Sequence, residues 1–352
     1  MSKVVCIAAQ RQVDGVGSLS KLESLSSRLV SELGVEPKRL TIDPLSVDWH
    51  SELEEGHFRS GCAPVEAMNC ARELISSGRE VAVIIQGRDY LRSEYRSDER
   101  RQAMSIYPDG VALTDAYDHL TTAYIAQSAI EEAEFIRLRD ALFENYWRSY
   151  QANNSAARRP DARWFDAITP LFRGVDCANP VIDFEAKLLL VSDAAARDLL
   201  LPDSEVVEVV AVGVGRLVND GPDAIAEILH YQHLKDAAGA IEDAAGLSLR
   251  KLHAEGALLL DLYTCYPVVP LACLLATNLV SQPEQLLEFI EHNQITLTGG
   301  MNLARGPWNN PALNGLVSMF ETLITQTHSE RSYGLVHGNG GLGYRQGLVL
   351  MK

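Results

Sequence analysis

The chain is short of the features that usually betray a function. Its six cysteines in 352 residues show no Cys-x-x-Cys pair and no regular spacing, which excludes a disulfide framework and reads as reduced thiols in a cytoplasmic protein. Positive charge is scarce. Thirty-one Lys and Arg against 47 Asp and Glu leave a formal charge of −16, a field that repels nucleic acid and anionic membranes. The basic pairs Arg100-Arg101 and Arg158-Arg159 read as solvated surface. No apolar run reaches about 18 residues without charge or turn residues, so no membrane span is expected. The opening residues lack the basic region and long apolar stretch of a secretory signal and read as a short strand. A P-loop, a Gly-x-Gly-x-x-Gly turn after the first strand and a Gly-x-Ser-x-Gly elbow are all missing. Nucleotide hydrolysis, dinucleotide redox chemistry and α/β-hydrolase chemistry therefore have no residue basis. Low-complexity segments and short tandem repeats are absent too.

What is present is a hydrophobic content of 47%, enough to bury a large core, and a twofold recurrence of α/β patterning. Val4–Ala9, Arg39–Ile42 and Val81–Gln86 read as strands, with helices over Leu22–Leu33 and Ala63–Ser77 stopped by Gly34 and Gly78. Residues 110–165 are rich in Ala, Glu, Arg and aromatics and read as a helical insertion over the sheet. A strand at Asp183–Ser192 and a helix at Ala194–Leu200 close a first half, 1–203. The second half, 204–352, opens on the β-branched run Glu205–Val214. A helix from Ala224 to about Gly246, a strand at Ala257–Leu262 and helices at Val268–Val280, Glu284–His292 and Ala312–Thr327 follow. Strands at Tyr333–His337 and Gly347–Met351 end it.

Chemistry-bearing residues gather at strand ends and helix starts, where α/β proteins build clefts. Cys62 lies in Ser-Gly-Cys-Ala-Pro just before a helix, where the dipole favours a thiolate. The alternative is a buried thiol acting as a small hydrophobe, as expected for Cys70 within that helix. Tyr263 and Cys265 stand in Asp-Leu-Tyr-Thr-Cys-Tyr-Pro at 261–267, as a hydrogen-bond donor and a pocket thiol, or as side chains packed under the next helix. Asn309 and Asn310 end Gly-Gly-Met-Asn-Leu-Ala-Arg-Gly-Pro-Trp-Asn-Asn, as amide donors or helix caps. His337, in His-Gly-Asn-Gly-Gly, has an ordinary pKa suited to proton transfer near neutrality; the alternative is a packing role. Gly338 and Gly340 allow backbone N–H groups close to a ligand oxygen, or simply a tight turn. His230 and His233, three apart, have no carboxylate or cysteine partners and read as a solvated helix face rather than a metal site. His50 and His57 lie in an acidic loop and read likewise.

These three segments, in this order, resemble the C-terminal half of the thiolase superfamily, and most closely its divergent acetyl-CoA acetyltransferase-like branch related to sterol-carrier-protein thiolases. Leu-Tyr-Thr-Cys-Tyr-Pro is similar to that branch's Leu-Tyr-Ser-Cys-Phe-Pro, and His-Gly-Asn-Gly-Gly to its Ser-Gly-Asn-Gly-Gly. The likeness is strongest at 61–87, 135–200 and 240–352 and weakest at 35–60. It implies a thiolase fold, with two βαβαβαββ-like halves in five αβαβα layers and a helical insertion. It further implies a homodimer, and a separate OB-fold or thiolase-like partner chain. The implied substrate is an acyl-CoA or acyl-carrier thioester, with no permanently bound cofactor and no metal. Two departures stand out. Gly306 occupies the place of the family's Gly-His-Pro histidine, and counting back from Gly78 sets Gly61, not Cys62, opposite the family's nucleophile. The implied activity is acyl transfer that makes or breaks a carbon–carbon bond beside a thioester. Cys62 would be the acyl acceptor, His337 the base, Tyr263 and Asn309 the stabilisers and Cys265 a pocket residue. A retro-aldolase needing no thiolate, and a catalytically silent subunit binding a partner or acyl ligand, are the alternatives.

Overall fold

The computed structural model describes residues 2–327 and 332–352, Asp109 by its backbone only. The first half contains strands β1 (Val4–Val13), β2 (Val16–Gly17), β3 (Lys38–Ile42), β4 (His57–Phe58), β5 (Ala82–Tyr90) and β6 (Asp183–Ser192). Helices α1 (Ser20–Leu33) and α2 (Ala63–Ser76) lie among them; α3 (Ser97–Ala103), α4 (Leu113–Ser128) and α5 (Glu132–Asn153) form the insertion, and α6 (Asp193–Asp198) follows β6. The second half comprises β7 (Val207–Arg216), α7 (Ile225–Ile228), α8 (Gln232–Ala245), α9 (Leu249–Ala254), β8 (Leu258–Asp261) and α10 (Val268–Ala276). It continues with α11 (Leu286–His292), α12 (Gly300–Leu303), α13 (Pro311–Ile324), β9 (Tyr333–Gly340) and β10 (Arg345–Met351).

Ladder pairing gives the order β4-β3-β5-β6-β1-β7-β10-β9-β8, with β2 on β1. The same scheme occurs twice. The first strand of each half, β1 or β7, pairs antiparallel with the last, β6 or β10, which pairs antiparallel with β5 or β9. A parallel strand, β3 or β8, flanks that pair. The halves meet through a two-residue ladder, Val5 with Glu208 and Cys6 with Val207. Helices α2 and α13 pack on strands of both halves and form the middle layer. Its core joins Cys62, Val65 and Met68 of the α2 region to Leu313, Val317 and Phe320 of α13 and to Val336 and Val349. Leu22, Leu25 and Leu29 of α1 cover the outer face of the first half, and α8 and α10 that of the second. The result is the expected five-layer αβαβα body. Within it the first half has no helix between β3 and β4, where 43–56 runs as loop and turn. The second half lacks a β4 equivalent, its place along β8 being taken by an extended run from which the Ile295 carbonyl accepts the Leu262 N–H at 2.9 Å.

Local chemistry explains the element ends. Gly34 adopts φ 66° beyond α1 and its N–H caps Leu29 and Val30 carbonyls, a left-handed stop that glycine makes without strain. Pro311 opens α13, where a missing N–H costs nothing. The insertion is longer than the 110–165 read from sequence, since α3 begins at Ser97; its Ser-Asp-Glu-Arg-Arg-Gln-Ala has no apolar period to announce it. The helix expected over 224–246 is broken at Tyr231, which takes φ 46° so that its ring can bury edge-to-face on Tyr124 at 6.3 Å. His233 is not solvated: it is buried, with Nε2 2.7 Å from the Gly343 carbonyl. Cys70 is half-buried rather than a core residue. No described helix is long and apolar enough to cross a membrane.

Candidate active site

Strand β8 ends at Asp261, and the irregular run that follows turns Tyr263 and Cys265 inward before α10. Tyr266 stacks on Tyr117 of the insertion, ring centroids 4.0 Å apart, and the Cys265 thiol donates to the Tyr117 hydroxyl at 3.4 Å. The Tyr263 phenol lies over Gly61: a Cβ there would overlap both the Tyr263 hydroxyl and the Asn339 carbonyl oxygen, so only glycine fits. Among the described residues the Tyr263 hydroxyl has no hydrogen-bond partner. These groups, with Trp49, Met301, Trp308, Asn309 and Asn339, line a narrow cavity of about 80 Å³.

Cys62 lies one residue behind that wall. It precedes α2, but its thiol faces away from the cavity, toward β10, where a Cβ on Gly347 would come within 3.0 Å of Sγ. Burial drives its pKa well above the ordinary value, Glu66 adding to the rise and Arg345 opposing it. At neutral pH this is an unionised core thiol, whatever the helix dipole offers.

His337 lies on the cavity-side face of β9 with Asn339, while Gly338 and Gly340 face the start of α2. Side chains on those glycines would press on Val65 and on Ser60 Oγ, each within 2.8 Å. Both are closely packed there. His337 is buried and does not reach the cavity. Its Nδ1 accepts the Tyr263 N–H at 3.4 Å, which puts the ring proton on Nε2, donating to Gln346 Oε1 at 2.7 Å. Gln346 Nε2 then donates to Asn339 Oδ1 at 2.6 Å, and Asn339 Nδ2 to the Tyr117 hydroxyl at 3.0 Å. The Tyr117 hydroxyl in turn donates a hydrogen bond to the Gly341 carbonyl at 2.6 Å. Burial lowers the His337 pKa to about 4, the Gln346 bond opposing the fall. His337 is thus a neutral histidine with both ring nitrogens committed.

Asn309 and Asn310 are not helix caps. Asn310 stands at the cap position of α13 without a side-chain capping bond. Instead Asn309 Nδ2 donates to the Asp43 carbonyl at 2.8 Å, and the Asn309 N–H and Asn310 Nδ2 both donate to Asp89 Oδ2, at 2.9 and 2.8 Å. Gly87, two residues before Asp89, leaves the space that Asn310 Oδ1 fills. Burial raises Asp89 to about 6 against these hydrogen bonds. Asp89 is the site-supporting residue that sequence reasoning missed; the only signal was a carboxylate ending an apolar strand. Gly306 packs on Met301 outside the cavity lining.

Of the residues singled out from sequence, the structure thus brings Tyr263, Cys265 and Asn309 together. It leaves Cys62, His337, Gly306, Gly338 and Gly340 outside the lining. Among the described residues no carboxylate, histidine, lysine or arginine side chain lines the cavity. Its titratable groups are raised, chiefly by burial: Cys265 to about 12, and the Tyr117, Tyr263 and Tyr266 phenols well above their ordinary value. At neutral pH the cavity therefore offers uncharged donors, suited to an acyl carbonyl or enolate oxygen. Among the described residues no group of three or more His, Cys, Asp or Glu side chains is placed to hold a metal ion.

No family model and no curated protein matches the sequence. Solved structures do match, over nearly the whole chain. A monomeric SCP2-thiolase-like protein type 1 from Mycobacterium smegmatis aligns with TM-score 0.69 and 16% identity, covering 99% of this chain and 77% of that one. The Ltp2-ChsH2(DUF35) aldolase aligns at 0.70 and 17%, covering 99% and 97%. The Acat5 thiolase from Ascaris suum, in complex with coenzyme A, aligns at 0.61 and 12%, covering 99% of each chain. The chain has the thiolase fold, and its neighbours include SCP2-thiolase-like and aldolase members as well as a thiolase.

Proposed function

We propose that this protein binds an acyl thioester with its carbonyl in the Tyr263 cavity and breaks or forms the adjacent carbon–carbon bond without an acyl-enzyme, as a retro-aldolase does. The observation that carries this reading is the pairing of an unpartnered Tyr263 hydroxyl inside the cavity with a Cys62 thiol outside it. Tyr263 donates a hydrogen bond to the thioester oxygen and stabilises the enolate that forms when the bond breaks. Cys265 and Asn309 complete the polar lining. In a retro-aldol step the β-hydroxyl proton of a 3-hydroxyacyl thioester leaves to water, since no lining group is ionised near neutral pH. The C–O bond becomes the carbonyl of the released aldehyde or ketone as the Cα–Cβ bond breaks. That bond's electron pair forms the enolate, whose α-carbon then takes a proton back from water, so that no net proton is gained or lost.

That same absence of an ionised base favours a second reading, a catalytically silent subunit that binds the acyl ligand for a partner. The coenzyme A bound to one structural neighbour and the aldolase named for Ltp2 and ChsH2(DUF35) support a coenzyme A thioester and a separate partner chain. A homodimer is part of the proposal, although one neighbour is described as monomeric. The unpaired cysteines support a reducing, cytoplasmic setting. Calorimetric titration with acyl-CoA, followed by product analysis with 3-hydroxyacyl-CoA, separates the readings. Binding with cleavage supports the enzyme, binding alone the subunit, and no binding sinks both.

A further inference from the structure

Gly87 and Asp89 lie on the face of β5 that points to the middle layer, and Asp89 is fully buried. Its Oδ1 accepts the Leu45 N–H at 3.0 Å, and its Oδ2 accepts from Asn309 and Asn310. The backbone N–H of Trp308 also favours its ionised form. Asn309 adds a direct tie to the Asp43 carbonyl. Two segments more than 250 residues apart by the 43-to-309 tie, which spans 266 positions, are thereby pinned at one carboxylate. Each carries a tryptophan, and Trp49 and Trp308 meet edge-to-face at 6.2 Å as adjoining walls of the cavity.

The charge around Asp89 does not explain its ionised form as half of an ion pair. The titratable groups that act with it are the phenols of Tyr95 and Tyr263. On the 43–59 segment Asp43 is taken up by His57 at 2.7 Å and Arg59 at 3.0 Å, and the first turn of α13, Pro-Ala-Leu-Asn, carries no charge. What Asp89 faces is a set of N–H donors from the two segments that form the rim.

We propose that Asp89 is the positioning residue of the cavity, its carboxylate clamping the Trp49 and Trp308 walls so that Asn309 and the space before Tyr263 keep one geometry. The purpose of that clamp rests on the ligand-binding reading above; the clamp itself does not. Asp89→Asn keeps the volume but replaces one acceptor oxygen by a donor NH₂ group, so one of the two segments loses its tie.

The test uses the full chain with Trp147→Phe and Trp164→Phe, leaving Trp49 and Trp308 as the emitting residues, without ligand at pH 7.5. Asp89→Asn should give a red-shifted emission and a several-fold larger acrylamide quenching constant, with the far-ultraviolet circular dichroism unchanged. Quenching identical to the parent overturns the proposal. If Asp89→Asn does not fold, amide exchange of the parent decides. The Leu45 and Asn309 N–H groups should be protected together with a common opening rate, whereas fast, unlinked exchange overturns the clamp. Acyl-CoA titration of the same proteins separates this proposal from the functional one. A variant that loosens the rim while neither protein binds acyl-CoA supports the clamp and removes only the ligand reading. Undiminished acyl-CoA affinity in a loosened variant overturns the positioning role.

Discussion

Two buried groups beside the cavity titrate in opposite directions, and their removal one at a time should expose a pH dependence the intact protein hides. Asp89 is raised from 3.8 to about 6 and His337 lowered from 6.5 to about 4, both chiefly by burial. As pH falls from about 6 toward 3.8, folded Asp89 takes its proton before the unfolded chain does. Acidification therefore stabilises the fold through this group, by about 3 kcal/mol at about 1.36 kcal/mol per pH unit. His337 behaves oppositely: between 6.5 and about 4 the unfolded chain binds the proton first, and acidification removes about 3 kcal/mol. In the parent the two nearly cancel. Asp89→Asn should therefore lose roughly 3 kcal/mol of unfolding free energy, relative to the parent, between pH 7.5 and 4. His337→Gln should gain a similar amount. Urea denaturation at a series of pH values measures both, and taking differences from the parent removes contributions from Asp220, Asp261, Asp183 and Glu32, which are common to all. Variants whose stability runs parallel to the parent across this range would refute the burial argument for the corresponding residue.

Other substitutions separate the cavity from the core behind it. Gly61→Ala should destabilise by about 1–3 kcal/mol, as overpacking does, because its Cβ meets the Asn339 carbonyl as well as the Tyr263 hydroxyl; Tyr263→Phe added to it should restore only part of the loss in thermal unfolding. Tyr263→Phe alone removes a hydroxyl without a protein partner and should change stability by less than about 0.5 kcal/mol, while ligand titration shows the lost oxygen contact. Cys62→Ser places an unpaired hydroxyl in the central core and should cost about 1–3 kcal/mol in urea denaturation. Cys62→Ala should leave ligand binding intact.

Much of the architecture was legible because its signals are local. Alternating and continuous apolar runs marked β1, β5, β6 and β7, and glycines marked the ends of α1 and α2. The cavity lining was legible where strand ends carry unusual polar residues, at Tyr263, Cys265 and Asn309. It was misleading where one residue of phase decides the matter. Cys62 and Gly61 are neighbours at the same helix start, yet Gly61 faces the cavity and Cys62 the core. His337 looked like a base because sequence does not show Gln346, nine residues later, facing it across a hairpin. Asp89 was invisible for a related reason: its partners at 45 and 308–310 come from both ends of the chain, and no local pattern joins them.

The most direct measurement is product analysis by mass spectrometry after incubation with a 3-hydroxyacyl-CoA, run on the parent, Tyr263→Phe and Cys62→Ala, with intact-protein mass recorded alongside. The expected result is carbon–carbon cleavage by the parent and by Cys62→Ala, its loss in Tyr263→Phe, and no acyl adduct on any of them. An acyl adduct that disappears in Cys62→Ala, or activity abolished in that variant while it remains folded, would contradict the assignment of the chemistry to the Tyr263 cavity.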